Sequence, residues 1–206
     1  MIGNDIVDLA QAKQESNWRR AGFLDKVFTA HEQQLIHSAN DPDCMVWLLW
    51  SMKESAYKLV NRQTGKRVFA PQKLVCHLES TGSETAVGTV FQERTYYTKS
   101  VITNQYVATV AFTVADSQPI DQFIIPFSNT TYQTQHTVIR ATIKQQCAAR
   151  LSVSESTICI YKNESCVPIV LVKDRLGSQL KLPLSISHHG HYGAYVVELP
   201  TTTSTI

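Results

Sequence analysis

Three things are scarce in this 206-residue chain. Long apolar runs are the first: the longest, CMVWLLW from Cys44 to Trp50, falls far short of the roughly 20 residues that cross a bilayer. Clustered positive charge is the second. The 19 Lys+Arg are scattered among 17 Asp+Glu, for a net charge of +2, so the basic stripe of a nucleic-acid binder is excluded. Paired cysteines are the third. Cys44, Cys76, Cys147, Cys159 and Cys166 are odd in number and repeat no spacing, which excludes a disulfide framework and a paired-cysteine zinc site. The amino-terminal MIGNDIVDL carries acidic residues where a secretory leader has a basic region followed by an apolar one. The expectation is a soluble, cytoplasmic protein with free thiols that binds neither membrane nor nucleic acid.

The periodicity changes along the chain. Ile2 to Leu9 read as a short strand closed by Asp5, followed by a polar segment with Trp18, Arg19 and Arg20. Thr29 with Glu32 three residues on is a capping-box signature, in which hydroxyl and carboxylate satisfy free amides at a helix start. A long helix is predicted from Pro42, capped by Asp41, to about Asn61. Met45, Leu49, Met52, Ala56 and Leu59 form its core stripe at spacings of four and three. At about 100° per residue, Glu54, Trp47, Trp50 and Lys58 fall on the opposite face. Two tryptophans beside a glutamate and a lysine predict that this face meets another part of the protein, or a ligand.

After Gly65 the period becomes two. KLVCHLES and GTVFQ read as strands, and YYTKSVITNQYVATVAFTV as a hairpin turning at Thr103 to Gln105. ADSQPIDQ, Ala115 to Gln122, is the candidate linker. A second helix is predicted from Thr131, with Val138, Ile139, Ile143, Cys147 and Leu151 on its apolar face. STICIY and VPIVLV read as strands, and the tail TTTSTI as unstructured. Each half runs helix then strands, an α+β organisation, divided into residues 1–117 and 118–206.

Two groups of residues can carry chemistry. Asp5 and Glu54 could bind magnesium, which takes one or two carboxylates together with substrate phosphates and waters. Lys58, one turn beyond Glu54, can serve phosphate or form a simple surface pair. The second group is SISHHGHYGAYVVEL, Ser185 to Leu199, with His188, His189 and His191. Strand alternation points His188 away from His189, which disfavours a metal cage. Two readings remain open on these residues alone: solvated loop histidines, or His188 presented to an anion.

Four stretches in this order, IGNDIVDL, FLDKVFTAHE, WSMKESAYKL and LSISHHGHYGAYVV, resemble the motifs of the 4′-phosphopantetheinyl transferase superfamily. The corresponding patterns are G-[IT]-D-[IL]-V-E-I, F-x-x-[RK]-V-[FL]-T-x-x-E, W-[SA]-x-K-E-[SA]-x-x-K and S-[IL]-S-H-x-x-x-Y-x-x-A. The resemblance implies two similar lobes, each a helix on a small antiparallel sheet. It implies transfer of the phosphopantetheine arm of coenzyme A to a serine of an apo acyl or peptidyl carrier protein, with Mg²⁺ and release of 3′,5′-ADP. Asp5 and Glu54 would hold the metal, Lys58 would contact phosphate, and Glu54 or Glu32 would take the serine proton. Ser187 and His188 would bind the 3′-phosphate, helped by Lys66 and Arg140, leaving His189 and His191 as loop residues.

The fit spans two subfamilies. Motif order is that of the short, trimeric holo-acyl-carrier-protein synthases, whereas length is that of the two-lobed surfactin-type enzymes. In the latter the S-H strand lies in the first half and G-x-D opens the second; here the order is reversed. The resemblance therefore implies a circular permutant that works as a monomer, with one site between lobes whose interface Trp47 and Trp50 would line. Val7 stands where the long class has a second acidic residue, and Cys166-Val167-Pro168 where it has G-K-P. A non-catalytic coenzyme A or carrier-binding module of the same fold is the alternative.

Overall fold

The structure is a computed structural model and describes residues 1–115, 121–173 and 177–200. Strand β1 spans Ile2–Asp8 and is followed by three short helices, α1 Leu9–Glu15, α2 Phe23–Val27 and α3 Ala30–Ser38. The long helix α4, Pro42–Thr64, leads into β2 Val75–Thr81, β3 Thr85–Gln92, β4 Arg94–Ile102 and β5 Tyr106–Phe112. A second series follows: β6 Phe123–Pro126, α5 Tyr132–Leu151, β7 Ile158–Lys162, β8 Pro168–Lys173, β9 Gln179–His189 and β10 Tyr192–Val197.

The two series are wired alike. Their sheets run β1-β5-β4-β3-β2 and β6-β10-β9-β8-β7, antiparallel throughout. In each, the first strand pairs with the last and the others meander back. The fold is α+β, with two lobes of one topology. The predicted junction between residues 117 and 118 lies outside the described residues, as do the middle of the ADSQPIDQ linker and the TTTSTI tail.

Each lobe closes its core with its own helix. Asp41 caps α4 by accepting from the Cys44 amide, Pro42 occupies the first turn, and Gly65 ends the helix at φ 68, a left-handed conformation that costs glycine nothing. Leu49, Met52, Ala56 and Leu59 are fully buried as predicted, and Met45 partly so. In α5, capped by Thr131, Ile139, Ile143 and Cys147 pack on Val170, Leu182, Leu184 and Tyr195.

Strand β1 joins the lobes, and all seven of its residues are buried. A strand presents alternate residues to opposite faces. Its odd residues meet α4: Gly3 lies where any Cβ would overlap the Ser55 carbonyl, Asp5 faces Lys58, and Val7 enters the first-lobe core. Its even residues meet the second lobe. Ile2 packs with Val110, Phe112 and Val196, and Ile6 with Ala108 and Ala194. Tyr106 and Tyr192 add a ring contact at 5.0 Å. Asp5 therefore stands mid-strand, and does not close it. The unpaired edge of β1 is satisfied by side chains of β9: the Asn4 amide donates to Ser185 Oγ and the Asp8 amide to His189 Nδ1, both at 3.0 Å. A buried strand edge needs such partners.

Two expectations change here. Trp47 lies in the core of the first lobe and Trp50 packs edge-on to Phe69 at 5.6 Å, so the apolar contact between lobes comes from β1, β5 and β10 instead. His189 and His191 are fasteners, not free loop residues. Because His189 Nδ1 accepts from Asp8, its Nε2 carries the hydrogen and faces Glu15 Oε2 at 3.3 Å. The His191 amide donates to Asp8 Oδ2 at 2.8 Å, and its Nδ1 to the Phe127 carbonyl at 3.1 Å. Gly190 between them has φ 52, and a Cβ there would overlap the Asp8 carboxylate.

Candidate active site

Helix α4 presents Glu54, Lys58 and Arg62 at intervals of four residues, which places them along one face. Lys58 Nζ donates to the Asn4 carbonyl at 2.6 Å and to Asp5 Oδ1 at 3.2 Å. Burial pushes the Asp5 carboxyl up, against the pull of Lys58. Burial, then the charge of Asp5, pushes Glu54 up to about 7. Asp5 and Glu54 thus share a desolvated setting in which two negative charges are incompletely offset.

Two cavities meet at this point. The first, of about 480 Å³, opens between α4 and the second lobe. Lys58, Arg62, Arg67, Arg140 and Lys162 line it, with no carboxylate among the lining residues. Arg62 donates to the Leu184 carbonyl through one terminal nitrogen at 2.6 Å, while its Nε is buried without a partner. Burial lowers this guanidinium's proton affinity. A half-satisfied buried cation calls for an anion. The second cavity, of about 260 Å³, is lined by Asp5, Glu54, Val7, Ala12, Trp47 and Trp50, among others. His188 lines both. Its ring is edge-on to Tyr132 at 6.2 Å, and partial desolvation in the cleft, followed by Lys58 and neighbouring histidines, lowers its pKa though the residue stays open to solvent.

Of the residues singled out in the sequence, the structure brings together Asp5, Glu54, Lys58, His188 and Arg140. Arg140 also donates to His136 Nε2 and to the Ile160 carbonyl, both at 2.8 Å. Three others fall elsewhere. Glu32 has 0% exposure, and both its oxygens are taken, by Lys53 Nζ at 2.8 Å and by the amides of Thr29 and Cys76 at 2.7 Å. Its predicted capping box is present, but a saturated, inaccessible carboxylate cannot accept a proton from a substrate serine. Ser187 is buried with its hydroxyl accepting from Asn4 Nδ2 at 3.0 Å, turned into the lobe seam and away from the cleft. Lys66 is exposed, and its neighbour Arg67 lines the cleft in its place.

Sequence reasoning missed Arg62, Arg67 and Lys162. Arg62 was legible, one turn beyond Lys58 on the same face. Arg67 and Lys162 follow from loop and strand-end geometry that no periodicity announces.

The donor set at Asp5 and Glu54 fits a hard divalent cation. No group of three or more ligating side chains occurs among the described residues, and Mg²⁺ is suited to few carboxylates plus phosphate and water oxygens. Val7 shares the inward face of Asp5 but is apolar, whereas Asp8 faces the other lobe and is engaged by Gln11 and His191.

A family model for the 4′-phosphopantetheinyl transferase superfamily matches residues 1–111. This chain belongs to that superfamily. A search of curated proteins finds no match to it. The matched span runs from β1 into β5 and so covers the first lobe alone, yet the second repeats its strand order. The protein is a phosphopantetheinyl transferase, for which coenzyme A and a carrier protein are the partners in reaction.

Proposed function

We propose that this transferase moves the 4′-phosphopantetheine arm of coenzyme A to a serine of an apo acyl or peptidyl carrier protein, in the manner of a holo-acyl-carrier-protein synthase, releasing 3′,5′-ADP. The observation that carries the reading is the meeting of a carboxylate-free cationic cleft with a carboxylate pair across Lys58 and His188. Coenzyme A is a polyanion at its nucleotide end, and five cationic side chains on both lobes match that charge. Lys58 neutralises the pyrophosphate oxygen that becomes part of the leaving group. His188, on the second-lobe side, accepts the 3′-phosphate with Arg140, Arg67 and Lys162.

Asp5 and Glu54 would hold Mg²⁺, which when bound would neutralise pyrophosphate oxygens as the serine oxygen approaches phosphorus. Glu54, whose charged form burial and Asp5 disfavour in the metal-free protein, would take the serine proton. Lobe order, with the metal side in residues 1–117 and the nucleotide side in 118–206, supports a permuted arrangement of the two-lobed enzymes, which would act as a cytoplasmic monomer.

The test is incubation with coenzyme A, Mg²⁺ and a panel of apo carrier proteins from fatty-acid, polyketide and nonribosomal-peptide systems, read by intact-mass spectrometry. One carrier at least should gain a single phosphopantetheine, and the gain should disappear with its serine changed to alanine. No gain on any carrier would contradict the reading.

A further inference from the structure

Gln122 stands one residue before β6, at the entry to the second lobe. Its neighbours hold it there: Asp121 pairs with Arg150 at 3.3 Å, and Phe123 stacks on buried Tyr195 at 5.0 Å. The Gln122 side chain reaches back to the first lobe. Its Nε2 donates to the Asp5 carbonyl at 3.2 Å and to the Thr109 carbonyl at 3.4 Å, which the two hydrogens of one amide allow. Asp5 and Thr109 are direct partners across β1 and β5. The Thr109 carbonyl also accepts from Ser55 Oγ at 3.0 Å. It is therefore reached from both faces of the sheet, by Ser55 of α4 and by Gln122 on the side of Ala108 and Val110. Ser55 is fully buried and adjoins Glu54.

We infer that Gln122 is a positioning residue for the Asp5–Glu54 pair, acting through the main chain of β1. The inference rests on the proposed metal site. Its own ground is the short hydrogen-bonded path that joins the two carboxylates from behind: Asp5 carbonyl to Gln122, Gln122 to the Thr109 carbonyl, and Thr109 to Ser55 beside Glu54. Among the described residues, no other side chain bonds the Asp5 main chain. The spacing of the carboxylates is set by how β1 lies on α4, and the two meet where Gly3 abuts the Ser55 carbonyl. Like charge works against that spacing, since Asp5 disfavours the charged form of Glu54. A tether on the Asp5 peptide resists the spreading. Mg²⁺ tolerates little departure from its preferred geometry, and partners that orient its ligands weigh in its affinity nearly as the ligands do. With only two protein carboxylates in the set, the orientation of each matters more.

The probe is Mn²⁺, which carboxylate and water oxygens suit as they suit Mg²⁺. It is titrated into the full chain without coenzyme A, and the free ion is read by electron paramagnetic resonance. Gln122→Met keeps the length of the side chain and removes the donor, and Gln122→Glu places oxygens where the donor stood. Asp121→Asn weakens the neighbouring ion pair with Arg150 and leaves β1 untouched. Both Gln122 variants should bind Mn²⁺ more weakly, on the order of tenfold, with Tm in metal-free buffer near that of the parent because β1 keeps its pairing with β5. Asp121→Asn should bind as the parent does, and raised Mg²⁺ should restore kcat in Gln122→Met. Unchanged Mn²⁺ affinity in Gln122→Met would overturn the inference, and so would equal weakening in Asp121→Asn. Weakening that follows a large loss of Tm in both Gln122 variants would make the residue a fastener of the fold, which also overturns it. If the unaltered protein binds no Mn²⁺, the Asp5–Glu54 pair and the proposed chemistry fail together, a result distinct from the others.

Discussion

Asn4 on β1 donates its side-chain amide to the hydroxyl of Ser187 on β9 at 3.0 Å, while its carbonyl accepts from Lys58 at 2.6 Å. One fully buried residue thus touches the opposite lobe and the lysine of the site together. It occupies the variable position of G-x-D, where the family pattern carries Ile or Thr, neither of which offers an amide donor. Ser187 precedes His188, so this contact sets where the histidine emerges over the cleft.

The first prediction follows from that contact. Asn4→Ala and Ser187→Ala should each destabilise the fold, and a double-mutant cycle in denaturant should give a coupling of about 1 kcal/mol. The single variants should also raise KM for coenzyme A more than they lower kcat. Additive stabilities would deny the contact.

Glu54 gives a pH dependence of defined sign. Its carboxyl is raised from 4.5 to about 7, so the neutral form is favoured on folding. That stability is fully present below pH 4.5 and is lost as pH rises through 7. The whole difference is at most about 3 kcal/mol, less whatever solvent screens. In metal-free buffer, Glu54→Gln should therefore have a higher Tm than the parent at pH 8 and nearly the same Tm at pH 4. Added Mg²⁺ should raise the Tm of the parent at pH 8 and leave the variant unmoved.

Glu32 and Lys53 form a saturated pair with 0% side-chain exposure, and Lys53 also donates to the Pro71 and Leu74 carbonyls. Lys53→Met leaves an uncompensated buried carboxylate and should cost about 3–5 kcal/mol. Glu32→Gln should lose stability too, yet its pH–rate profile, taken where the protein remains folded, should match the parent. A shifted profile would return Glu32 to the chemistry.

The two adjacent histidines should separate cleanly. His188→Ala should leave Tm near the parent value, because the side chain is exposed, and should erase discrimination against 3′-dephospho-coenzyme A. His189→Ala removes the acceptor of the Asp8 amide and should lower Tm, with that discrimination kept. Equal effects on both properties from both variants would contradict their assignment to different faces.

Much of this was legible in the sequence, for identifiable reasons. The core face of α4 follows from its spacing, and its ends from Asp41, Pro42 and Gly65, all local signals. The strand order of the second lobe is a long-range property. Alternation could show that Ser187 and His188 point opposite ways, but only the packing of β1 on β9 reveals that Ser187 points into the seam. Glu32 carried a true capping signature and a motif resemblance together. Its burial depends on Lys53, whose side chain shares the helix with Glu54 but turns into the core. Trp47 and Trp50 were legible only in part: they border the smaller cavity with His188 and His189, but most of their surface completes the first-lobe core. The short helices α1 and α2, seven and five residues long, span too few turns for periodicity to register.

We propose that one chain folds two lobes around one site, with Asp5, Glu54 and Lys58 on one side and His188 and Arg140 on the other. Light scattering of the protein with simultaneous titration of coenzyme A tests it most directly. The expected result is the mass of a single chain and one coenzyme A bound per chain, with Lys58→Ala and Arg140→Ala each weakening the same single site. A trimer whose sites span subunits would contradict it.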